Sequence, residues 1–131
     1  MGLIARFDVN GWDERAIAGL EGGWMGAVEM LKEFTQGITG SSVALFVSSG
    51  ETEGQRSYFA AERITGTTDG GRSGSVTVHH GGLESDPDTW FGHVVPGSGT
   101  DDWSGWSGPA RIRHGDDGAF FEFECIDPAA E

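Results

Sequence analysis

Apolar and polar side chains alternate with a period of two in run after run of this chain, and each run is short and bounded by glycine. In residues 3–10, Leu3, Ala5, Phe7 and Val9 share one parity against Arg6, Asp8 and Asn10; in 118–126, Ala119, Phe121, Phe123 and Cys125 oppose Glu122 and Glu124. Neighbours on a strand point to opposite faces, so the pattern asks for a sheet with one covered face and one wet face, and it does not fit a helix. Twenty-three glycines in 131 residues, with no collagen-like period, supply the breaks. Candidate strands are 3–10, 25–35, 43–48, 56–66, 73–80, 90–95, 110–114 and 118–126, separated by "ITGSS", "GETEGQ", "TDGG", "GGLESDPD", "PGSGTDD" and "HGDDG". Residues 13–22, "DERAIAGLEG", have room for one helical turn. The reading is all-β, an antiparallel barrel or sandwich, as a single domain over 1–131.

Charge narrows the partners. Eight Lys+Arg against 21 Asp+Glu leave a formal charge of −13 and no local basic patch, so neither nucleic acid nor an anionic membrane is an expected partner. A single cysteine, Cys125, allows no internal disulfide and no CxxC site. The N-terminal "MGLIARFDVNGW" has no signal-peptide pattern, and no apolar run approaches the ~18 residues of a spanning helix, so a cytoplasmic location is expected.

The stretch "VTVHHGG" at 76–82 carries the most chemistry. Alternation puts Val76, Val78 and His80 on the apolar side and Ser75, Thr77 and His79 in water. Adjacent strand histidines that face opposite ways cannot share an ion, and neither His93 nor His114 belongs to a ligand-spaced motif, so no metal and no cofactor are expected. A hairpin centred near Gly70 pairs residues whose numbers sum to about 140 and places His80 opposite Ala60, with Glu62 and Tyr58 as diagonal neighbours about 7–8 Å away. An inward Glu62–His80–Tyr58 cluster follows if no bulge at Gly66 or Gly74 breaks the register. Such a cluster is either an acid/base site or a buried structural pair. Replacing a carboxyl kept for function by its neutral isostere, Glu62→Gln, would on this reading tend to stabilise the fold.

Of the five tryptophans, Trp12, Trp24, Trp90, Trp103 and Trp106, most are expected in the core or as plugs at a barrel end. The glycine-rich "TGTTDGGRSG" and "VPGSGTDDWSG" lack the GKS/T or strand–GxGxxG–helix context of phosphate loops, and no GxSxG elbow is present.

Taken together, "ERITGTTDGGRSGSVTVHHGG" at 62–82 and "VVPGSGTDDWSGWSG" at 94–108, extended by "FDVNGWDE" and "LKEFTQGITGSS", resemble the bacterial domain-of-unknown-function 3224 family. The resemblance implies a closed eight-stranded antiparallel barrel of the allene-oxide-cyclase-like type, related in shape to lipocalins, with an enclosed cavity. Glu62, Arg72, Gly74, His80, Pro96, Gly97 and Gly99 fall on the family's pattern. Gly92 and His93 depart from it where an aromatic residue is expected, which would re-equip one end of the lumen.

Three functions compete on such a scaffold. The leading expectation, by fold analogy, is a cofactor-free isomerase or cyclase holding a small apolar molecule, polyketide- or terpenoid-like, in the lumen. Glu62 would be its acid/base, His80 the partner, and Tyr58 a donor to a developing oxyanion. Phe7, Trp24, Val78, Trp90, His93, Phe121 and Phe123 would line the ligand site. The alternatives are a lipocalin-like binding protein without chemistry and a filled barrel acting as a structural module or homo-oligomer. A lumen of about 300 Å³ or more would favour a ligand.

Overall fold

A computed structural model describes residues 2–15 and 24–125. Its strands are β1 (Leu3–Arg15), β2 (Met25–Gln36), β3 (Ile38–Ser49), β4 (Ser57–Thr68), β5 (Ser73–Leu83), β6 (Asp86–Val94), β7 (Ser107–Gly115) and β8 (Gly118–Cys125), with one 3-10 turn at Asp101–Trp103. Each strand pairs antiparallel with the next, and β8 closes onto β1, giving an eight-stranded barrel. An eight-stranded barrel is just wide enough for its lumen to be filled by side chains or to hold one small ligand. Here side chains fill one half of the lumen and the other half is a cavity.

Phe7, Val78, Phe121 and Phe123 all point inward, as the alternation predicts. At the end of the barrel near the β2–β3 and β4–β5 turns, Ile38, Ile64, Val76, Val94, Phe123 and the stacked pair Trp103 and Trp106 pack into a continuous core. The Trp103 and Trp106 rings lie 4.3 Å apart and nearly parallel, and the loop between β6 and β7 carries them in as a plug. Gly74 makes room for it, and the row of glycines it belongs to lets the strands approach closely. Gly40, Gly66 and Gly74 stand side by side across β3, β4 and β5. A Cβ on Gly40 would lie 2.1 Å from the Thr65 carbonyl oxygen, and one on Gly74 would lie 2.8 Å from the Trp103 ring.

That row explains where the strand boundaries differ from expectation. "ITGSS" reads as a turn because it holds a glycine and two serines, yet β3 begins at Ile38 and the only turn residue before it is Gly37. Here glycine serves close strand packing rather than chain reversal. Likewise "GGLESDPD" shrinks to a turn at Glu84 and Ser85. β1 continues to Arg15, so Asp13–Arg15 are strand and not part of a helical turn; residues 16–22 of that segment lie outside the described residues, as does the side chain of Cys125. The register shift between Val9 and Gly11 leaves Asn10 unpaired and resets the parity of β1, so that Val9, opposite Lys32, and Trp12, opposite Met30, both border the cavity, where Val9 stays half exposed. No helix among the described residues is long and apolar enough to cross a membrane.

Candidate functional site

The hairpin register is the one the turn chemistry predicts. His80 pairs with Ala60 and Gly66 with Gly74, without a bulge in β4–β5. Glu62 and His80 therefore meet inside the barrel, His80 Nε2 lying 2.9 Å from Glu62 Oε1, while Tyr58 Oη lies 3.1 Å from His80 Nδ1 on the other side of the ring. His79 points outward to a ring contact with His93.

Two further residues complete the cluster. Lys32 Nζ donates to Glu62 Oε1 at 2.9 Å, and Ser42 Oγ donates to Glu62 Oε2 at 2.5 Å. The Lys32 ammonium also sits 4.2 Å from the centre of the Phe7 ring. Neither residue figures in the sequence reading. Lys32 shares its inward parity with Val28, Met30 and Phe34, so a charged residue in an otherwise apolar series was the signal. Ser42 was hidden within the stretch taken for a turn.

The proton inventory follows from burial and pairing. Burial, the largest influence on Glu62, would raise its carboxyl, but the His80 hydrogen bond, the Lys32 charge and the Ser42 hydroxyl together outweigh it and hold Glu62 at about 2, as a carboxylate. Burial lowers Lys32, and Glu62 opposes that, keeping an ion pair. Burial also lowers His80, so its ring is neutral at pH 7. A carboxylate only accepts, so Nε2 carries the hydrogen and Nδ1 is left as an acceptor for the Tyr58 hydroxyl. Burial, followed by the Glu62 charge, pushes that hydroxyl up to about 12. The chain of groups runs Tyr58–His80–Glu62–Lys32, with a net charge of zero.

The cluster forms the floor of a cavity of about 400 Å³ that opens at the end opposite the tryptophan plug. Phe7, Met30, Ala44, Ala60 and Ile112 line its walls, and Trp12, Phe46, Tyr58, Trp90 and His114 form an aromatic collar above. Within the collar the Phe46 and Tyr58 rings stack at 4.9 Å, and Trp90 meets His114 edge-on at 4.9 Å. At the rim, Glu84 accepts from the Gly54 backbone at 2.7 Å and ties the β3–β4 loop to the β5–β6 turn.

Lys32, Tyr58 and His80 face this space, whereas Glu62 has no exposed surface and stands behind them. Of the expected lining residues, Phe7 and Trp90 are on the wall. Val78, Phe121 and Phe123 are buried in the packed interior and do not border the cavity. Trp24 is 64% exposed and lies off the lining, and His93 points to solvent because its neighbours Gly92 and Val94 take the inward positions. Gly92 does not widen the lumen either: its α-carbon lies so near β7 that a Cβ there would be 1.9 Å from the Ala110 carbonyl oxygen. Among the described residues, no three His, Cys, Asp or Glu side chains converge as metal ligands.

Comparisons agree with this architecture. The family described as "Protein of unknown function (DUF3224)" matches residues 3–124. The crystal structure of a protein of unknown function from the same family of Shewanella oneidensis MR-1 superposes with a TM-score of 0.80 at 25% identity, covering 98% of each chain. Among curated proteins, none matches the chain.

Proposed function

Because the chain belongs to the DUF3224 family, whose description assigns no activity, we propose a function from the cavity itself: this barrel binds a small, uncharged, mostly apolar molecule carrying a carbonyl or enol oxygen. The observation that carries this reading is the arrangement of Lys32, Tyr58 and His80 as the polar floor of a space with mostly apolar and aromatic walls, whose other polar lining residues include Ser48, Arg56, Ser57 and Glu84. Ligand sites commonly combine apolar walls with a few convergent polar groups. An oxygen reaching the floor meets the remaining N–H groups of Lys32, and the Tyr58 hydroxyl can donate to it by turning away from His80 Nδ1. A carboxylate would not be favoured, since the Lys32 charge is already matched by Glu62 and the chain as a whole carries −13.

The test is binding of an uncharged fluorescent probe, N-phenyl-1-naphthylamine, followed by displacement with matched ketones and carboxylic acids. Wild type should bind the probe and release it to ketones before acids. Ala44→Phe, which fills the space between floor and collar, should not bind it. Equal binding by both proteins would sink the proposal.

Acid/base chemistry on the bound molecule is a second reading, favoured by one detail. His80 is a neutral imidazole whose tautomer and orientation are held by an ionised carboxylate, the arrangement that suits a general base. In this reading the Tyr58 hydroxyl turns from His80 Nδ1 to the ligand oxygen, Nδ1 so freed takes a proton from the carbon next to the carbonyl, Lys32 and Tyr58 stabilise the enolate oxygen, and the imidazolium returns the proton to another carbon. Glu62 then steadies the imidazolium and does not itself touch the ligand. This is an isomerase step with no net change in atoms or electrons. Hydrogen–deuterium exchange at the α-carbon of a bound ketone, followed by NMR, measures it: exchange in wild type and loss in His80→Phe support the step, and undiminished exchange in His80→Phe eliminates it.

A further inference from the structure

The chain carries seven arginines and a single lysine, Lys32. Of these eight cations only the lysine is buried, at 3% exposure. Its ammonium stands at the cavity floor, 2.9 Å from Glu62 Oε1, 4.2 Å from the centre of the Phe7 ring and 5.2 Å from that of Phe121. An arginine could also hold an ion pair with Glu62, but a guanidinium does not lose its proton, whereas an ammonium that does becomes a nucleophile. Burial lowers Lys32 and so favours the free amine, while Glu62 opposes it.

We propose that Lys32 forms a Schiff base with the carbonyl carbon of the molecule held in the cavity, an apolar aldehyde or ketone, and that Glu62 is the counter-ion of the iminium. The inference rests on the carbonyl-binding reading above and adds a covalent step to it. One ammonium proton passes to Glu62 Oε1, and the nitrogen lone pair so freed bonds the carbonyl carbon while the C=O π electrons move to oxygen. A second proton moves from nitrogen to that oxygen, giving a carbinolamine. The proton lent to Glu62 returns to nitrogen and crosses to the hydroxyl; the C–O bond breaks, water leaves with that electron pair, and the nitrogen lone pair closes the C=N bond. Both hydrogens of the water come from the ammonium, nothing is oxidised or reduced, and the iminium keeps one N–H and the positive charge. Glu62 ends as it began, a carboxylate facing a cation, so no charge is left unpaired in the interior. The Phe7 and Phe121 rings face the same cation before and after the step.

Trapping with 2-naphthaldehyde and sodium cyanoborohydride tests this, since the reductant turns an iminium into a stable secondary amine. Intact mass and peptide mapping of wild type should show an adduct on Lys32 that forms faster than any on the α-amino group, the only other primary amine of the chain. Wild type preloaded with N-phenyl-1-naphthylamine should lose the Lys32 adduct, a comparison that needs no variant, and Ala44→Phe should lose it as well. An aldehyde that displaces the naphthylamine probe yet leaves Lys32 unmodified overturns the Schiff base while the binding reading stands. An aldehyde that neither displaces the probe nor modifies Lys32 overturns both. Modification of Lys32 that proceeds equally in the preloaded protein also overturns the proposal.

Discussion

The Lys32 ammonium and the Glu62 carboxylate meet 2.9 Å apart across an intervening strand, each almost wholly removed from water. Removing one member of such a pair strands the other charge in a low-dielectric interior, which costs about 3–5 kcal/mol. The sequence alone suggests that Glu62→Gln is harmless or stabilising; with Lys32 in place the sign reverses. Glu62→Gln should lower unfolding stability in urea by that amount at neutral pH, and Lys32→Met combined with Glu62→Gln should recover most of it. A single variant as stable as wild type would contradict the ion pair.

Acid should weaken the fold in two stages. His80 is lowered by burial below its ordinary 6.5. Once the pH falls below about 6.5 the unfolded chain therefore takes up a proton that the folded chain does not, and stability declines. Glu62 is held at about 2 against an ordinary 4.5. Its contribution, about 3 kcal/mol for that gap, is complete above 4.5 and disappears as the pH falls toward 2. Urea midpoints from pH 8 to pH 2 should show both stages, and His80→Phe should abolish the upper one.

Tyr58→Phe separates binding from folding. The hydroxyl contacts His80 Nδ1 at the cavity floor, where water can replace it, so the change should cost less than about 1.5 kcal/mol of stability. If the hydroxyl also anchors the ligand oxygen, ketone affinity should fall about 10-fold, equivalent to one lost hydrogen bond. Displacement titration and thermal melting on the same samples check both parts, and an unchanged ketone affinity would remove Tyr58 from the floor's role.

Gly92→Ala should be among the most damaging small substitutions. Its Cβ would overlap the Ala110 carbonyl oxygen at 1.9 Å, on a seam where β6 and β7 share a single register pair, His93 with Pro109. Forcing the strands apart there should cost about 2 kcal/mol or more. Chemical denaturation measures it. A neutral result would mean that the seam yields freely.

Much of the barrel was legible because its causes are local. Period-two alternation fixed which of Phe7, Val78, Phe121 and Phe123 face inward, and a short turn between β4 and β5 fixed the register that brings Glu62 to His80. Position along a strand determines side-chain direction, and turn length determines pairing, so both can be read from neighbouring letters. What depends on distant segments could not be read this way. Ser42 lies diagonal to Glu62 on the neighbouring strand, hidden because its stretch reads as a turn, and Lys32 reaches Glu62 from β2 across β3 because the sheet curls. That curvature decides the protonation of Glu62 and moves it behind the cavity wall. The division of the lumen was equally out of reach: Trp103 and Trp106 plug one end because a long loop folds back over Gly74, which no local pattern distinguishes from a turn glycine. Alternation in the sequence determined an inside and an outside. Closure of the barrel decided which part of the inside is core, which part is cavity, and which groups hold the charge between them, because those contacts join residues far apart in the chain.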